Sequence, residues 1–416
     1  MHYSLTRSTV WNLAGYVYLI IASLVSTPIL LHSLGLAQFG QYGLIIASLS
    51  VASAVNLGLP QAVVRALARD HEFGESRQTL WATSSLLFIL TGLAAGGVAV
   101  ILSSWVHVNI FILILVFMTS FLNNVISHYA TLPQAEGHFG YFNVKTFVIG
   151  TGNTFLAAFL ASRGQGILGI LTMQLFAYFL TLLPLVYFSF KFFPRPRDGR
   201  ASFSVARSLL TFGIKSQLGK IVGQLQAQYG KYLLAGLSPL GLSAYMIAQG
   251  IVQKLVGSVS QLATALYPAL ARSSKSALWP LYLRLELVLF VLGFLGICLY
   301  SLVGYHFLSW WLHDPEIVHS VHSFILVYRY YGLLLLLTPV PSTILEAVGK
   351  PGLNSLFSLA AFMIELSIAL YLYPKLGFMA PAYAGIISLA VMAPILLIFT
   401  GKTLSFDGTA TRSKHA

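Results

Sequence analysis

Long apolar runs separated by short polar interruptions dominate the pattern of this chain. A run of about 20 apolar residues is long enough to cross about 30 Å of hydrocarbon as a helix. Twelve such runs are present, at 9–31, 42–64, 80–102, 108–131, 144–162, 167–190, 209–236, 240–270, 279–303, 319–345, 352–373 and 379–400. The longest polar interruptions, 191–207 and 304–318, are both short. The pattern therefore predicts an all-α polytopic membrane protein with twelve transmembrane helices in one membrane-embedded domain.

Composition agrees with this fold class, and the distribution of charge orients it. The chain is 57% hydrophobic and 8% charged, whereas soluble domains carry about 25% charged residues. Of its 24 lysines and arginines, seventeen lie at the N-terminus, in alternate loops or in the C-terminal tail, and only Arg163 and Lys375 lie in the opposite loops. Because basic residues are enriched in cytoplasmic loops, we expect both termini to be cytoplasmic. The net charge of +13 is then a topology signal, and no nucleic-acid partner is predicted.

An internal repeat divides the chain into halves. A shift of 203 positions aligns LLHSLGLAQFGQY (30–42) with LLAGLSPLGLSAY (233–245), and AVVRALAR (62–69) with ALYPALAR (265–272). Each half holds six runs, so both halves enter the membrane from the same side and the repeat is parallel. Parallel repeats are a known transporter plan in which the substrate site lies between the halves. We predict an N-terminal six-helix bundle at 1–200 and a C-terminal six-helix bundle at 201–416.

The seventh apolar run is unusually polar for a membrane helix. Its sequence, GIKSQLGKIVGQLQAQYGKYLLAGL (213–237), holds three lysines and four glutamines. At about 100° per residue, five of these side chains fall on one face of a helix: Gln217, Lys220, Gln224, Gln228 and Lys231. Charges inside a bilayer are costly and usually face a cavity or a pathway. Reaching out to the headgroups explains Lys231 as well as a cavity does, but it does not explain Lys220 near mid-membrane. The stripe therefore predicts a hydrated, cationic wall that binds substrate.

Three further charged residues lie within other predicted helices. Lys254 in the eighth run and Arg329 in the tenth add positive charge, and Glu365 in the eleventh is the deepest acid. An excess of cations over acids suits an anionic cargo, so Lys254 and Arg329 join the predicted substrate-binding set. Glu365 is predicted either to carry a coupling proton or Na⁺ or to be a static partner of one of these cations. Both interpretations stay open.

Several functional classes have no support in the motifs. The chain has no G-x-x-x-x-G-K-[ST] loop, which excludes ATP hydrolysis by this chain. It also has no G-x-S-x-G or H-E-x-x-H motif, so a hydrolase is not predicted. The histidines and acids of 305–322 match no standard spacing of metal ligands. We predict no catalytic residue, no metal site and no cofactor.

Three segments carry a resemblance to a known family. TPILLHSLGLAQFGQYGL (27–44), NLGLPQAVVRALARD (56–70) and ILEAVGKPGLNSL (344–356) resemble segments of the polysaccharide-transporter family. These proteins are bacterial flippases for lipid-linked oligosaccharides of the O-antigen type, within the multidrug/oligosaccharidyl-lipid/polysaccharide (MOP) exporter superfamily. The resemblance implies two parallel six-helix bundles around a central cavity, in the bacterial cytoplasmic (inner) membrane. As partners it implies a lipid-linked oligosaccharide on polyprenyl pyrophosphate, membrane lipids, a polysaccharide polymerase and chain-length proteins.

The leading hypothesis is therefore a flippase that moves this lipid from the inner to the outer leaflet by alternating access, for cell-surface polysaccharide biosynthesis. One alternative is an ion-coupled multidrug antiporter of the same superfamily. A cationic drug would favour acidic walls, whereas these helices offer more lysine than glutamate. A second alternative is a polytopic polysaccharide polymerase or acyltransferase. Such an enzyme would be expected to present a large external loop, for which 304–318 is the only candidate.

Overall fold

A computed structural model describes residues 5–68, 76–106, 108–192, 200–236, 238–272, 275–348 and 350–405. Within these ranges all regular secondary structure is helical, as predicted from the apolar runs. The α-helices in chain order are α1 (Leu5–Ser53), α2 (Leu59–Ala68), α3 (Arg77–Ser104), α4 (Ile110–Ala135), α5 (Phe139–Thr151), α6 (Ala157–Ser162), α7 (Gly166–Phe192), α8 (Phe203–Leu234), α9 (Pro239–Arg272), α10 (Lys275–Leu312), α11 (Pro315–Leu336), α12 (Pro339–Ala347), α13 (Pro351–Leu376) and α14 (Ala380–Ser405).

Eight helical stretches of the described chain are long and apolar enough to cross a membrane. They are Val17–Asn56, Arg77–Ser104, Ile110–Ala135, Gly140–Ser162, Gly166–Lys191, Leu278–Leu312, Pro315–Glu346 and Gly352–Leu404. The first overlaps two of the twelve predicted runs, at 9–31 and 42–64, and the last contains two, at 352–373 and 379–400. Helices α8 and α9 occupy the seventh and eighth runs but are not among the eight, and the lysines and glutamines of α8 lower its hydropathy. The all-helical, multi-pass prediction is confirmed, whereas the count of twelve crossings stays a prediction.

One predicted run and one predicted loop differ from the structure. The run at 42–64 was expected to be one helix, but α1 ends at Ser53 and residues 54–58 turn before α2 begins. The polar loop expected at 304–318 is reduced to His313 and Asp314, because α10 continues to Leu312. Asp314 caps the next helix: its Oδ1 accepts from the backbone N–H of Glu316 (3.0 Å) and of Ile317 (3.3 Å). The segment that was the candidate loop for the enzyme alternative is therefore mostly helical.

By internal contacts the chain forms two units, Met1–Ala235 and Gly236–Ala416. The first unit holds α1 to α8, and the second holds α9 to α14. In the second, α9 packs on α11 and α12, while α14 packs on α13 and α11. Helix α8, the seventh predicted run, packs on α1, α2 and α3 of the first unit. The division at 200/201 that the repeat indicates stays a prediction.

A close backbone crossing positions α8 in the first unit. A Cβ added at Gly213 of α8 would lie 2.4 Å from the carbonyl oxygen of Leu57, and one at Gly58 would lie 2.3 Å from that of Gly213. Leu57 and Gly58 form the turn before α2, and both have positive φ values of 52° and 72°. Only glycine allows two backbones to approach this closely. The N-terminal end of α8 adds Val205 and Leu209 to the buried apolar cluster of α2, α3, α4 and α7.

The crossing generates a prediction about stability. In Gly213→Ala the added methyl group clashes with the backbone of Leu57, but the helical backbone of Gly213 accepts alanine without strain. We expect this overpacking to lower the free energy of unfolding by about 1–3 kcal/mol. In Gly58→Ala the added methyl group clashes with the backbone of Gly213, and the positive φ at residue 58 strains the alanine as well. This strain lowers the free energy of unfolding by about a further 1–2 kcal/mol. We expect the thermal midpoint of the purified protein in detergent to fall in the order wild type, Gly213→Ala, Gly58→Ala.

The control is Gly164→Ala, which has φ +76° and no heavy atom within 4 Å of the added Cβ. It isolates the cost of the backbone conformation. If Gly58→Ala lowers the midpoint no more than Gly164→Ala does, the crossing does not hold α8 in place.

Candidate ligand-binding surface

The predicted stripe of α8 is divided by packing into buried and exposed members. Lys220 and Gln224 are exposed on the first unit, and Lys231 is half-buried. Gln217 and Gln228 are buried, with 6% and 8% of their surfaces exposed. The five residues do share one helix face, but only part of that face is open. The exposed middle of the stripe is therefore the candidate surface, and the buried glutamines have other contacts.

Lys220 has a neutral partner on α2. The Nζ of Lys220 donates to Oε1 of Gln61 at 3.1 Å, and Nε2 of Gln61 donates to the carbonyl oxygen of Gly58 at 3.2 Å, with the amide of Gln61 oriented to satisfy both groups. Gln61 is itself exposed. A neutral amide positions the ammonium group without cancelling its charge, so the charge remains available to a ligand. Gln61 was not among the residues predicted from the sequence, although a polar residue within an apolar run is a usable signal.

Gln217 supports the turn beneath this surface. Its Nε2 donates to Oδ1 of Asn56 at 3.4 Å, and the same oxygen accepts from the backbone N–H of Gly58 at 3.0 Å. Oε1 of Gln217 is buried and has no hydrogen-bond partner among the described residues. These contacts give Gln217 a structural role at the crossing of α8 and α2. Its predicted contact with substrate stays a prediction.

The C-terminal end of α8 holds the second cation of the stripe. The Nζ of Lys231 donates to Oε1 of Gln228 at 2.7 Å, three residues earlier on the same helix. The adjacent Tyr232 forms a hydrogen bond through its hydroxyl with Oγ of Ser48 on α1, at 2.8 Å. Lys231 is thus held by an amide, as Lys220 is, and the end of α8 is fixed to α1. The two cations of the stripe therefore lie at separate positions along one helix, each beside a glutamine amide.

Lys254 and Arg329 lie in the second unit, on different helices. Lys254 is half-buried on α9, and its carbonyl oxygen accepts from Oγ of Ser258 at 2.9 Å. Arg329 on α11 donates to Oγ of Ser301 on α10 (2.6 Å) and to the hydroxyl of Tyr330 (3.3 Å). The guanidinium also lies 5.1 Å from the centre of the Tyr330 ring, a cation–π contact. Arg329 is therefore held against α10, and its binding of substrate stays a prediction.

Glu365 lies in an aromatic environment inside the second unit. Only 4% of its surface is exposed. A Cβ added at Gly385 of α14 would lie 3.4 Å from Oε1 of Glu365 and 2.6 Å from the ring of Tyr331, which places these three groups together. The Tyr331 ring stacks on Tyr328 at 4.6 Å. The carboxyl group of Glu365 is therefore buried beside the tyrosines of α11, and its predicted role in ion coupling stays a prediction.

A separate uncharged cavity of about 200 Å³ lies within the first unit. It is lined by hydroxyl, amide and apolar side chains of α1, α4, α7 and the π-helical turn at 152–156, among them Ser50, Thr119, Asn153 and Gln174. Nε2 of Gln174 donates to the hydroxyl of Tyr42 at 2.6 Å. The lining has hydrogen-bonding capacity but no charge. The cationic groups of this unit that the sequence singled out lie on α8 instead.

Comparison with known proteins gives concordant matches over most of the chain. Residues 5–274 match a family described as polysaccharide biosynthesis protein. A Shigella flexneri protein named "Putative O-antigen transporter" is 20% identical, and the alignment covers 95% of this chain and 97% of that protein. The inward-facing conformation of a multidrug resistance MATE family transporter of the MOP superfamily has a TM-score of 0.76 at 14% identity, with 98% of this chain and 96% of that chain covered. A MOP superfamily transporter from Pyrococcus furiosus has a TM-score of 0.62 at 15% identity, with 96% and 95% covered. At such low identity these structures show a shared fold.

Proposed function

The chain belongs to the polysaccharide biosynthesis protein family, and on that premise we propose that it is a flippase for an oligosaccharide linked to polyprenyl pyrophosphate. It would move this lipid from the inner to the outer leaflet of the bacterial cytoplasmic membrane, by alternating access. The family and fold matches point to a transporter rather than an enzyme. The name of the Shigella flexneri relative supports an O-antigen-type cargo, because the two chains align over nearly their whole lengths.

The observation that carries the proposal is the exposed cation Lys220, held by a neutral amide. Within the described chain Gln61 is the partner of Lys220, and no carboxylate contacts its ammonium group. An unneutralised charge on a membrane helix is costly unless water or a ligand solvates it. A pyrophosphate is such a ligand, because its oxygens accept charge-assisted hydrogen bonds from an ammonium group. The exposed amide of Gln224, one turn further along α8, adds hydrogen-bond capacity for sugar hydroxyls.

An ion-coupled multidrug antiporter is the second candidate. The similarity of fold to a multidrug resistance MATE family transporter supports it. The charge of the exposed surface on α8 argues against it, since a cationic drug would be repelled by Lys220 and Lys231. We therefore favour the anionic lipid as cargo.

The proposal includes a membrane arrangement and a set of partners. We propose twelve crossings in two parallel six-helix halves, with α8 and α9 as the seventh and eighth, and with both termini cytoplasmic. Glu365 is proposed as the site that carries a coupling proton or Na⁺, because its buried carboxyl lies among aromatic rings. A polysaccharide polymerase and chain-length proteins are the proposed partners, since they would act on the exported lipid.

The first test concerns Lys220. Lys220→Gln keeps the length and hydrogen-bonding capacity of the side chain but removes its charge. The loss of a charge-assisted contact with a phosphate, about 1–3 kcal/mol, should reduce transport roughly five- to 100-fold if that contact limits the step. We expect lipid-linked oligosaccharide to accumulate on the cytoplasmic side, measured by its accessibility to a glycosidase in oriented vesicles.

The matched control for this test is Lys375→Gln. Lys375 is exposed near the end of α13, where its Nζ donates to the hydroxyl of Tyr371 at 3.0 Å. The chemical change is the same, but the residue lies outside the α8 stripe. Equal transport by the two variants would show that α8 does not handle the cargo.

The second test concerns Glu365. If its carboxyl carries the coupling ion, Glu365→Gln should abolish the dependence of transport on the proton or Na⁺ gradient while the protein stays folded. The control is Glu346→Gln, since Glu346 is an exposed acid on α12 that accepts from Asn354 at 3.3 Å. Transport assays in vesicles with an imposed gradient measure the effect. A variant that remains gradient-dependent would leave Glu365 a structural role only.

The third test concerns orientation. In a Cys298→Ala background, a cysteine at the exposed position Ala201 should be protected from a membrane-impermeant thiol reagent in intact cells. A cysteine at the exposed position Ser162, the last residue of α6, should be labelled. These expectations follow from the excess of basic residues in the loops that include 191–207. The reverse pattern would invert the proposed topology.

A further inference from the structure

A basic cleft lies between α2 and the N-terminal end of α8, within the first unit. Its volume is about 680 Å³, and it is open to the surface. The side chains of the cleft that can bind a ligand through charge, hydrogen bonds or a ring face are Arg65, Arg207, Ser204, Ser208, Thr211 and Phe212. From the sequence, both arginines count only among the seventeen basic residues that indicate the cytoplasmic side. A charge that merely sets topology needs no cleft and no fixed neighbours.

Both arginines are exposed at the cleft, and an aromatic contact positions one of them. The guanidinium of Arg65 lies 4.5 Å from the centre of the Phe212 ring, so an aromatic face on α8 positions this side chain of α2. Arg65 and Arg207 are both exposed, and in the described parts of the chain no carboxylate pairs with either one. Two guanidinium groups that line one cleft suit an anion. Arginine suits phosphate because its planar fork of donors matches two phosphate oxygens.

The hydroxyls and the apolar surroundings narrow the class of ligand. Ser204, Ser208 and Thr211 follow one another at spacings of four and three residues, so they share the face of α8 that carries Arg207. Hydroxyl donors are typical partners of phosphate oxygens. Phe203, the first residue of α8, is 84% exposed at the same end of the cleft, where an acyl or prenyl chain would cover it. The combination fits a phosphate head attached to an apolar chain.

The cleft is also connected to the candidate surface on α8. Gln61 and Arg65 are four residues apart and share one face of α2, and Gln61 is the partner of Lys220. An anion in the cleft therefore lies one helical turn of α2 from the amide that holds the next cation. We propose that this cleft binds the phosphate or pyrophosphate head of a membrane lipid at the predicted cytoplasmic end of α8. The identification of that lipid as the cargo rests on the proposed function.

Binding of defined lipids to the full-length protein in detergent tests the proposal. The probes are farnesyl pyrophosphate, a short-chain phosphatidylglycerol, and farnesol as an uncharged control, each titrated and read out by native mass spectrometry. Arg65→Gln and Arg207→Gln should each weaken phosphate-lipid binding about tenfold or more. Arg207→Lys keeps the charge but loses the planar fork, so we expect a smaller loss of about threefold.

The matched control for charge is Lys191→Gln. Lys191 is exposed at the end of α7, in the same unit and on the same predicted side of the membrane, but it does not line the cleft. It should change binding less than about twofold, as expected for a distant charge screened by salt. Ser208→Ala with Thr211→Val leaves both arginines in place and should still weaken binding about threefold. This pair keeps the test decisive if an arginine variant fails to fold.

The two lipid probes distinguish the sources of the phosphate. If the arginine variants lose binding of farnesyl pyrophosphate only, the ligand of the cleft is the head of the proposed cargo. If they lose binding of phosphatidylglycerol only, the ligand is a resident phospholipid. Loss of both identifies a general site for phosphate heads, and each of these results supports the proposal. Farnesol binding as tightly as farnesyl pyrophosphate, wild-type binding by the arginine variants, or an equal loss in Lys191→Gln would overturn it.

The lipid-binding test of the cleft and the transport test of the proposed flippase can fail independently. If the cleft variants bind lipid normally while Lys220→Gln blocks export, the cleft proposal fails and the proposed function stands. If the cleft variants lose phosphatidylglycerol binding while Lys220→Gln exports normally, the site stands without its role in transport.

Discussion

The close backbone approach of Gly58 and Gly213 is the constraint on which the candidate surface depends. It places the turn before α2 directly against α8, with added Cβ atoms only 2.3–2.4 Å from backbone oxygens. From that crossing, Gln217 reaches Asn56, Lys220 reaches Gln61, and Phe212 lies beneath Arg65. A side chain at either glycine would separate the two elements and with them these three pairs. The polar contacts of α8 with α2 and the preceding turn therefore depend on the close packing of two glycines.

The cations of the predicted stripe and of α11 are held by neutral groups. Lys220 and Lys231 donate to glutamine amides, and Arg329 donates to hydroxyls. By contrast, Arg77 at the start of α3 forms an ion pair with Glu136 at the end of α4. An ion pair cancels the charge, whereas an amide or hydroxyl only orients it and leaves a field that attracts an anion. The neutral partners of Lys220 and Lys231 are therefore consistent with the proposed binding of an anion on α8.

The internal repeat has a counterpart in matching local structure. Tyr42 and Tyr245 occupy equivalent positions at the spacing of 203 residues, and both are buried. Each hydroxyl accepts from a glutamine Nε2, that of Gln174 at 2.6 Å and that of Gln249 at 3.0 Å. The two glutamines are not equivalent in the repeat, because Gln249 lies on the same helix as Tyr245 whereas Gln174 lies on α7. The buried tyrosines alone follow the spacing of 203 residues, and the two six-helix halves stay a proposal.

The sequence alone determined the fold class, because a run of about 20 apolar residues has few alternatives to a membrane helix. It also determined that Lys220 and Lys231 share a face of α8, because helical spacing is a local property. Which members of that stripe are open was decided only by tertiary packing: Gln217 and Gln228 are buried, while Gln224 and Lys220 are exposed. The break at Leu57–Gly58, the partner Gln61 and the cleft at Arg65 and Arg207 also required the structure. Each of them depends on contact between segments some 150 residues apart, and no local pattern encodes which distant backbone or side chain a helix face will meet.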